Sequence, residues 1–175
     1  MNRKALVLMS GGLDSSTCLY WAKDNFDEVE AITFNYYKRI NVEKKATRAI
    51  ARLANVKLSE VKIPFIKEKL YYSISKKTTG DSLQSYIPLR NLIFYSMAGY
   101  YAQVNNINNL VGGHKANDGK IFKDATKSYF RIMNQLILQG LADSIDCKLV
   151  LPLKNKSRLE VIRMANTLNV PIELT

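Results

Sequence analysis

Residues 6–22, LVLMSGGLDSSTCLYWA, run from an apolar stretch into a helical one through two adjacent glycines flanked by hydroxyl side chains. The run ALVLM (5–9) is apolar without alternation, as in a parallel strand buried on both faces. Gly11 and Gly12 let the backbone come close to a ligand, so that successive amides face one concavity beside the positive end of a helix starting near Asp14. Ser10, Ser15 and Ser16 add hydroxyl donors. The stretch is suited to a phosphate, yet it is no Walker loop: G-x-x-x-x-G-K-[ST] needs a lysine for the outer phosphates, and here the glycines are adjacent and the lysine is missing. The dinucleotide fingerprint G-x-G-x-x-G fails too. A tight strand-to-helix turn capped by serine or aspartate is the plainer alternative.

Outward from this loop, the periodicity alternates between strands and helices. VEAITF (29–34) reads as a second strand and KLSEVKI (57–63) as a weaker third. Between them Val42, Ala46, Ala49, Ile50 and Leu53 line one helical face, with Asn41 as the expected N-cap. Residues 76–86, KKTTGDSLQSY, lack periodicity and read as an exposed, mobile loop. A long apolar helix is expected from Asn91, a fourth strand at NLVGG (109–113), an amphipathic helix at YFRIMNQLILQGLA and a fifth strand at KLVLPL (148–153). Ser157 and Glu160 form a capping box for the last helix, which Asn169 and Pro171 stop. The pattern implies an α/β fold, a doubly wound parallel five-stranded sheet with helices on both faces, in a single domain over 1–175. Ligands of such sheets bind beyond the carboxyl ends of the strands. That rule selects residues 10–16, 35–39, 112–124 and 152–158, with IPLRN (87–91) as a further candidate.

Composition narrows the function classes. The apolar fraction of 47% is that of a globular protein, and no run approaches the ~20 apolar residues of a membrane span. The start, MNRKALVLMSGG, has an apolar run too short for a signal peptide, so a cytoplasmic protein is expected. Two cysteines, Cys18 and Cys147, make neither a disulfide framework nor a four-ligand zinc site, and Cys18 reads as a core residue. The net charge of +11 favours anionic partners, but the lysines are scattered, so a solvated basic surface accounts for it as well as an RNA face does.

SGGLDSS directly after a buried first strand resembles the loop of the N-type ATP pyrophosphatases, among them NAD synthetase, GMP synthetase and several tRNA-modifying enzymes. In that superfamily the loop holds the pyrophosphate that departs as AMP is transferred to a substrate oxygen. ITFNYYKR (32–39), YIPLRN (86–91), GGHKANDGKIFKDA (112–125) and LPLKNKSRLEVIRMANTLNVP (151–171) follow in order, and together they resemble the QueC family, 7-cyano-7-deazaguanine synthase, over nearly the whole chain. The resemblance implies an ATP-dependent ligase that converts 7-carboxy-7-deazaguanine and ammonia to the nitrile through adenylated intermediates, in queuosine and archaeosine precursor biosynthesis. It implies ATP as cofactor, Mg2+ beside it and a homodimer, with no membrane partner and no requirement for nucleic acid.

The same resemblance assigns residues. Ser10, Gly11, Gly12, Ser15 and Ser16 would bind pyrophosphate, and Asp14 would order the loop or a magnesium ion. Thr33, Phe34 and Asn35 would meet adenine through backbone groups; Lys38 and Arg39 would reach phosphates, a solvated basic turn being the alternative. Arg90 and Asn91 match the arginine and asparagine of the family's P-G-R-N, with Leu89 in place of its glycine; Arg90 merely opening a helix is the bland reading. Gly113, Asp118 and Asp124 would face the acceptor or magnesium, unless the aspartates are caps. Arg158 stands where the family has a lysine, with Lys154 and Lys156 nearby, and His114 is expected to make a loop hydrogen bond and no metal site. Segment 119–127 departs from the family's YPDCR wording. Family members continue into a tail with four zinc-binding cysteines; that set is absent from this sequence, so no zinc is assigned to its residues. A tRNA-modifying pyrophosphatase and a catalytically silent ATP-binding relative are the competing readings.

Overall fold

In the computed structural model, residues 3–67, 69–72, 83–115, 117–141 and 147–175 are described. The chain runs β1 (Lys4–Leu8), α1 (Leu13–Asn25), β2 (Glu28–Tyr37), α2 (Asn41–Leu53) and β3 (Lys57–Lys67), then a hairpin of β4 (Lys69–Tyr72) and β5 (Leu83–Tyr86). After it come α3 (Arg90–Val104), β6 (Asn109–Val111), a short α4 (Asp118–Ile121), α5 (Lys127–Gly140), β7 (Lys148–Val150) and α6 (Arg158–Thr167). Strands β3-β2-β1-β6-β7 form one parallel sheet in that order, as the apolar runs imply. From β1 the chain winds outward to β3, then returns to place β6 on the other side of β1. The crevice of such a sheet opens where the winding reverses, beyond the carboxyl ends of β1 and β6.

Alternation along β1 builds the two halves of the core. Leu6 faces Ile32, Tyr95, Leu110 and Phe130 under α3 and α5. Ala5, Val7 and Met9 face Cys18, Leu19, Ile50 and Val161 under α1, α2 and α6. Burial pushes the Cys18 thiol far up, and it is a core residue as expected. No helix among the described residues is long and apolar enough to cross a membrane.

Several boundaries differ from the sequence expectation. β3 continues past Pro64 to Lys67, with a register irregularity after Ile63. It lies at the sheet edge, where a proline deprives no neighbour of a hydrogen bond. β7 stops at Val150 because residues 152–155 turn, with the Lys154 amide donating to the Leu151 carbonyl. Residues 83–86 of the expected loop form β5 instead, paired antiparallel with β4; residues 76–82 lie outside the described residues. Asn41 is the first residue of α2 and not its cap, a place taken by Ile40 with no side-chain cap bond. The capping box of α6 is present, with the Ser157 amide donating to Glu160 and the Glu160 amide to the Ser157 hydroxyl. Helices α2, α3 and α6 each end on an asparagine in the left-handed region, Asn55, Asn106 and Asn169, which closes a Schellman pair of bonds.

Candidate active site

The loop after β1 is knitted by its own hydroxyls. Ser10 and Ser15 lie 3.0 Å apart, oxygen to oxygen, and the hydroxyls of Ser15 and Ser16 each donate to the Gly12 carbonyl at 3.0 Å. The Ser16 amide makes the first intrahelical bond, which leaves the amides of Leu13, Asp14 and Ser15 at the open, positive end of α1. Gly11 has φ +91°, and a Cβ there would meet the Glu43 carbonyl oxygen at 2.6 Å. At Gly113 a Cβ would lie 2.9 Å from the Asp14 carbonyl carbon. Glycine thus lets α2 close over one side of the loop and the β6 loop slide beneath the other.

That sliding brings Lys115 to Asp14. The ammonium pairs with the Asp14 carboxylate and lies 3.9 Å from Asp118, whose carboxylate accepts from the Lys115 amide at 2.9 Å. The difficulty of a carboxylate facing phosphates is thus met by a lysine 101 residues away in sequence. Beside it, His114 packs on Phe130 with ring centroids 4.5 Å apart. Burial pushes its imidazole down to about 4, against the pull of Asp118, so it is neutral at pH 7.

Arg39 lines the cavity at the switch point, and it is buried there, not in the solvated turn that is the alternative for it. It is 4% exposed, and its guanidinium donates to the Ser10 carbonyl (2.7 Å), the Thr33 hydroxyl (2.7 Å), the Phe34 carbonyl (3.1 Å) and the Thr47 hydroxyl (3.2 Å). Asn35 accepts from it at 3.3 Å and Glu43 lies 3.4 Å away, so its donors serve protein acceptors. Thr33 turns inward to donate to the Met9 carbonyl, and Asn35 donates to Glu60. Lys38 is exposed, with φ +59°.

A cavity of about 330 Å³ opens at the switch point, lined among others by Ser10, Asp14, Ser15, Arg90, Asn91 and Asp118. Phe34 and Phe94 stack along it with centroids 4.6 Å apart, and Tyr36 continues the wall. Phe94 is the aromatic the sequence reading passed over, because α3 is apolar on most faces and nothing marks one of them. Tyr95 also lines the cavity; its buried hydroxyl has no partner among the described residues. Arg90 follows Leu89, which takes φ +54° although it is not glycine. The Arg90 guanidinium lies over the Phe122 ring and forms no salt bridge to a carboxylate among the described residues. Asp124 acts on α3: it accepts from the Asn91 amide at 3.2 Å, and its carbonyl accepts from the Asn91 side chain at 2.8 Å. Asp118 lines the cavity and Asp124 does not, so the two expected partners are separated. Arg158, exposed at the start of α6, is not among its lining residues either.

A larger cavity of about 840 Å³ adjoins it through His114 and is edged by Lys115 and Lys154. Among the described residues no three His, Cys, Asp or Glu side chains converge on a metal site. Cys18 and Cys147, the two cysteines of the sequence, are both buried and in no disulfide, and two thiols do not fit the four-cysteine zinc of the resembled family. Mg2+ asks less, one or two carboxylates plus substrate phosphates; Asp14 and Asp118 line the same volume, with the Lys115 ammonium beside both.

A sheet ordered β3-β2-β1-β6-β7, with a glycine–serine loop opening a helix at its switch point, defines the fold of the ATP pyrophosphatase class. Solved structures share it: the NH3-dependent NAD synthetase from Campylobacter jejuni has a TM-score of 0.60 at 17% identity, over 99% of this chain and 67% of that one. The U34-tRNA thiolase NcsA from Methanococcus maripaludis also has a TM-score of 0.60, at 16% identity over 97% of this chain and 58% of that one. The chain belongs to the QueC family, described as queuosine biosynthesis protein QueC, whose match spans residues 4–175. Among curated relatives, the 7-cyano-7-deazaguanine synthase of Thermoplasma volcanium is 33% identical over all of this chain and 77% of its own length. The enzyme of the same name from Campylobacter jejuni serotype O:2 is 30% identical over all of this chain and 84% of its own length.

Proposed function

We infer that this protein is an ATP-dependent ligase that makes 7-cyano-7-deazaguanine from 7-carboxy-7-deazaguanine and ammonia. The observation that carries the reading is the 330 Å³ cavity at the switch point, lined by an aromatic wall, by Asp14 and Ser15 at the open end of α1 and by Arg39 and Arg90, with Lys115 paired to Asp14 in its wall. Adenine stacks along Phe34, Tyr36 and Phe94. The amides at the start of α1 take the phosphates, as helix N-termini do. Arg90 approaches from α3 and Lys115 from the β6 loop, so fixed positive charge meets the charge that develops on phosphorus and on the leaving pyrophosphate.

The acceptor carboxylate oxygen attacks the α-phosphorus, and the bond to the bridging oxygen breaks, releasing pyrophosphate with its electron pair. Ammonia displaces AMP from the acyl-adenylate to give the amide. A second ATP adenylates the amide oxygen with release of pyrophosphate, and loss of both amide protons and of AMP, which carries off the oxygen, leaves the nitrile. Asp14 and Asp118 would hold Mg2+ against the nucleotide phosphates, where it would neutralise charge on the departing pyrophosphate. His114, neutral, keeps its place against Phe130 and adds no charge.

Incubation of the full chain with ATP, Mg2+, ammonium and 7-carboxy-7-deazaguanine, followed by mass analysis, tests this. AMP, pyrophosphate and a nitrile are expected. A folded sample that forms neither AMP nor nitrile overturns the reading.

A further inference from the structure

A nucleoside triphosphate is strongly anionic, and a cavity walled by carboxylates repels it unless cations intervene. Among the described residues, the smaller cavity is lined by three carboxylates, Asp14, Glu43 and Asp118, against two guanidiniums, Arg39 and Arg90. His114 adds no charge, because burial keeps its imidazole neutral at pH 7. The lining is therefore short of one positive charge. Arg39 is engaged beside Glu43, 3.4 Å away, and Arg90 forms no salt bridge to Asp14 or Asp118.

Lys115 makes up the difference from within the wall. Its ammonium pairs with Asp14 and lies 3.9 Å from Asp118, although Lys115 itself lines the larger cavity and not the smaller. Both carboxylates are thus neutralised from behind, and their cavity side stays open to phosphates. The lysine is held in place twice over. Its own amide donates to Asp118 at 2.9 Å, and Gly113, where a Cβ would lie 2.9 Å from the Asp14 carbonyl carbon, keeps the β6 loop against the start of α1. The Lys115 side chain is 17% exposed, so water and salt screen the pair less than they screen a surface pair.

We propose that Lys115 is a resident counter-cation of the nucleotide site: it gives Asp14 the neutralisation that the loop would otherwise take from a divalent metal, so that the nucleotide binds without waiting for one. This rests on the reading of the smaller cavity as the ATP site. The role of Mg2+ at the departing pyrophosphate is untouched; what Lys115 removes is the need for it in binding. Lys115 acts through Asp14 and is a positioning residue.

Calorimetric titration of the full chain with α,β-methylene-ATP, once with EDTA and once with Mg2+, tests this without turnover. In the unmodified chain Mg2+ is expected to tighten binding by no more than about 3-fold, a weak coupling between metal and nucleotide. In Lys115→Met the analogue binds more weakly overall, and Mg2+ should then tighten it by about 10-fold or more, the worth of one charge-assisted bond. Lys115→Arg keeps the charge and should return toward the unmodified chain. A lysine that only pinned the loop would weaken binding equally with and without the metal. An equal effect of Mg2+ in the unmodified chain and in Lys115→Met therefore overturns the proposal. So does an unmodified chain that binds the analogue only once Mg2+ is added, a result that holds even where the methionine variant fails to fold. An unmodified chain that binds the analogue under neither condition overturns the reading of the cavity as the ATP site. One that binds it under both, yet forms no AMP from ATP and the acceptor, overturns the proposed function alone.

Discussion

Replacing Arg39 by methionine keeps the apolar stem and removes one buried charge with its donors. The hydroxyls of Thr33 and Thr47 keep bonds of their own, to the carbonyls of Met9 and Glu43, so their loss is partial. The Ser10 carbonyl loses a 2.7 Å charge-assisted donor at the loop. One orphaned buried acceptor costs about 1–3 kcal/mol, and a bond to a charged donor is itself worth about 1.5–3 kcal/mol. Relief from burying the charge offsets part of this, so the expected loss is about 3–5 kcal/mol, as for other broken buried charge contacts. At ~2–4 °C per kcal/mol for a domain of this size, the melting temperature should fall by about 6–20 °C. Arg39→Lys should fall nearly as far, because one ammonium cannot span the Ser10 and Thr47 oxygens as a planar fork does. Thermal and urea unfolding measure the loss, and titration with an ATP analogue well below the transition measures binding by the folded variant. A methionine variant that melts within about 2 °C of the parent but no longer binds the analogue would refute this, and would make Arg39 a phosphate ligand.

Three further outcomes follow from the same geometry. Lys115→Met should raise the KM for ATP by about 10–100-fold, the worth of one charge-assisted bond, while Lys115→Arg recovers part of it; an unchanged KM for ATP refutes a role for the Asp14 pairing in nucleotide binding. Leu89→Gly should raise stability by up to about 1 kcal/mol, since a left-handed leucine costs roughly 1–2 kcal/mol and glycine's extra chain entropy returns about 0.5–1 kcal/mol; a lower urea midpoint contradicts it. His114 titrates at about 4 in the folded chain against 6.5 ordinarily, so its contribution is full above pH 6.5, shrinks as pH falls to about 4 and changes no further below. Stability should drop by no more than about 3 kcal/mol across that window, and His114→Gln should flatten the slope; an unaltered slope places the titration elsewhere.

The fold was legible because its signals are local. ALVLM, VEAITF and the glycine turn between strand and helix each carry their meaning within a dozen residues, and Ser157–Glu160 closes its capping box within four. The missed elements depend on context. Pro64 argues against a strand until β3 is known to lie at an edge, and β5 forms from Leu83–Tyr86 only by pairing with β4. Asn41 has the chemistry of a cap, but α2 starts on it, with Ile40 in the cap position and no side-chain cap bond.

The site divides along the same line. The loop, Arg90 and Asn91 carry their chemistry in short wording, and the structure gathers them around one cavity. Asp118 and Asp124 look alike in sequence, six positions apart in one polar segment, yet one faces the cavity and the other anchors α3. Nothing in their spacing separates them, because the difference arises from α3 arriving beside Asp124 through an unrelated part of the chain. The pairing of Asp14 with Lys115 is of this kind too. A Walker loop carries its lysine within the loop; here the lysine comes from the neighbouring strand's loop, where topology alone brings it to the phosphate end.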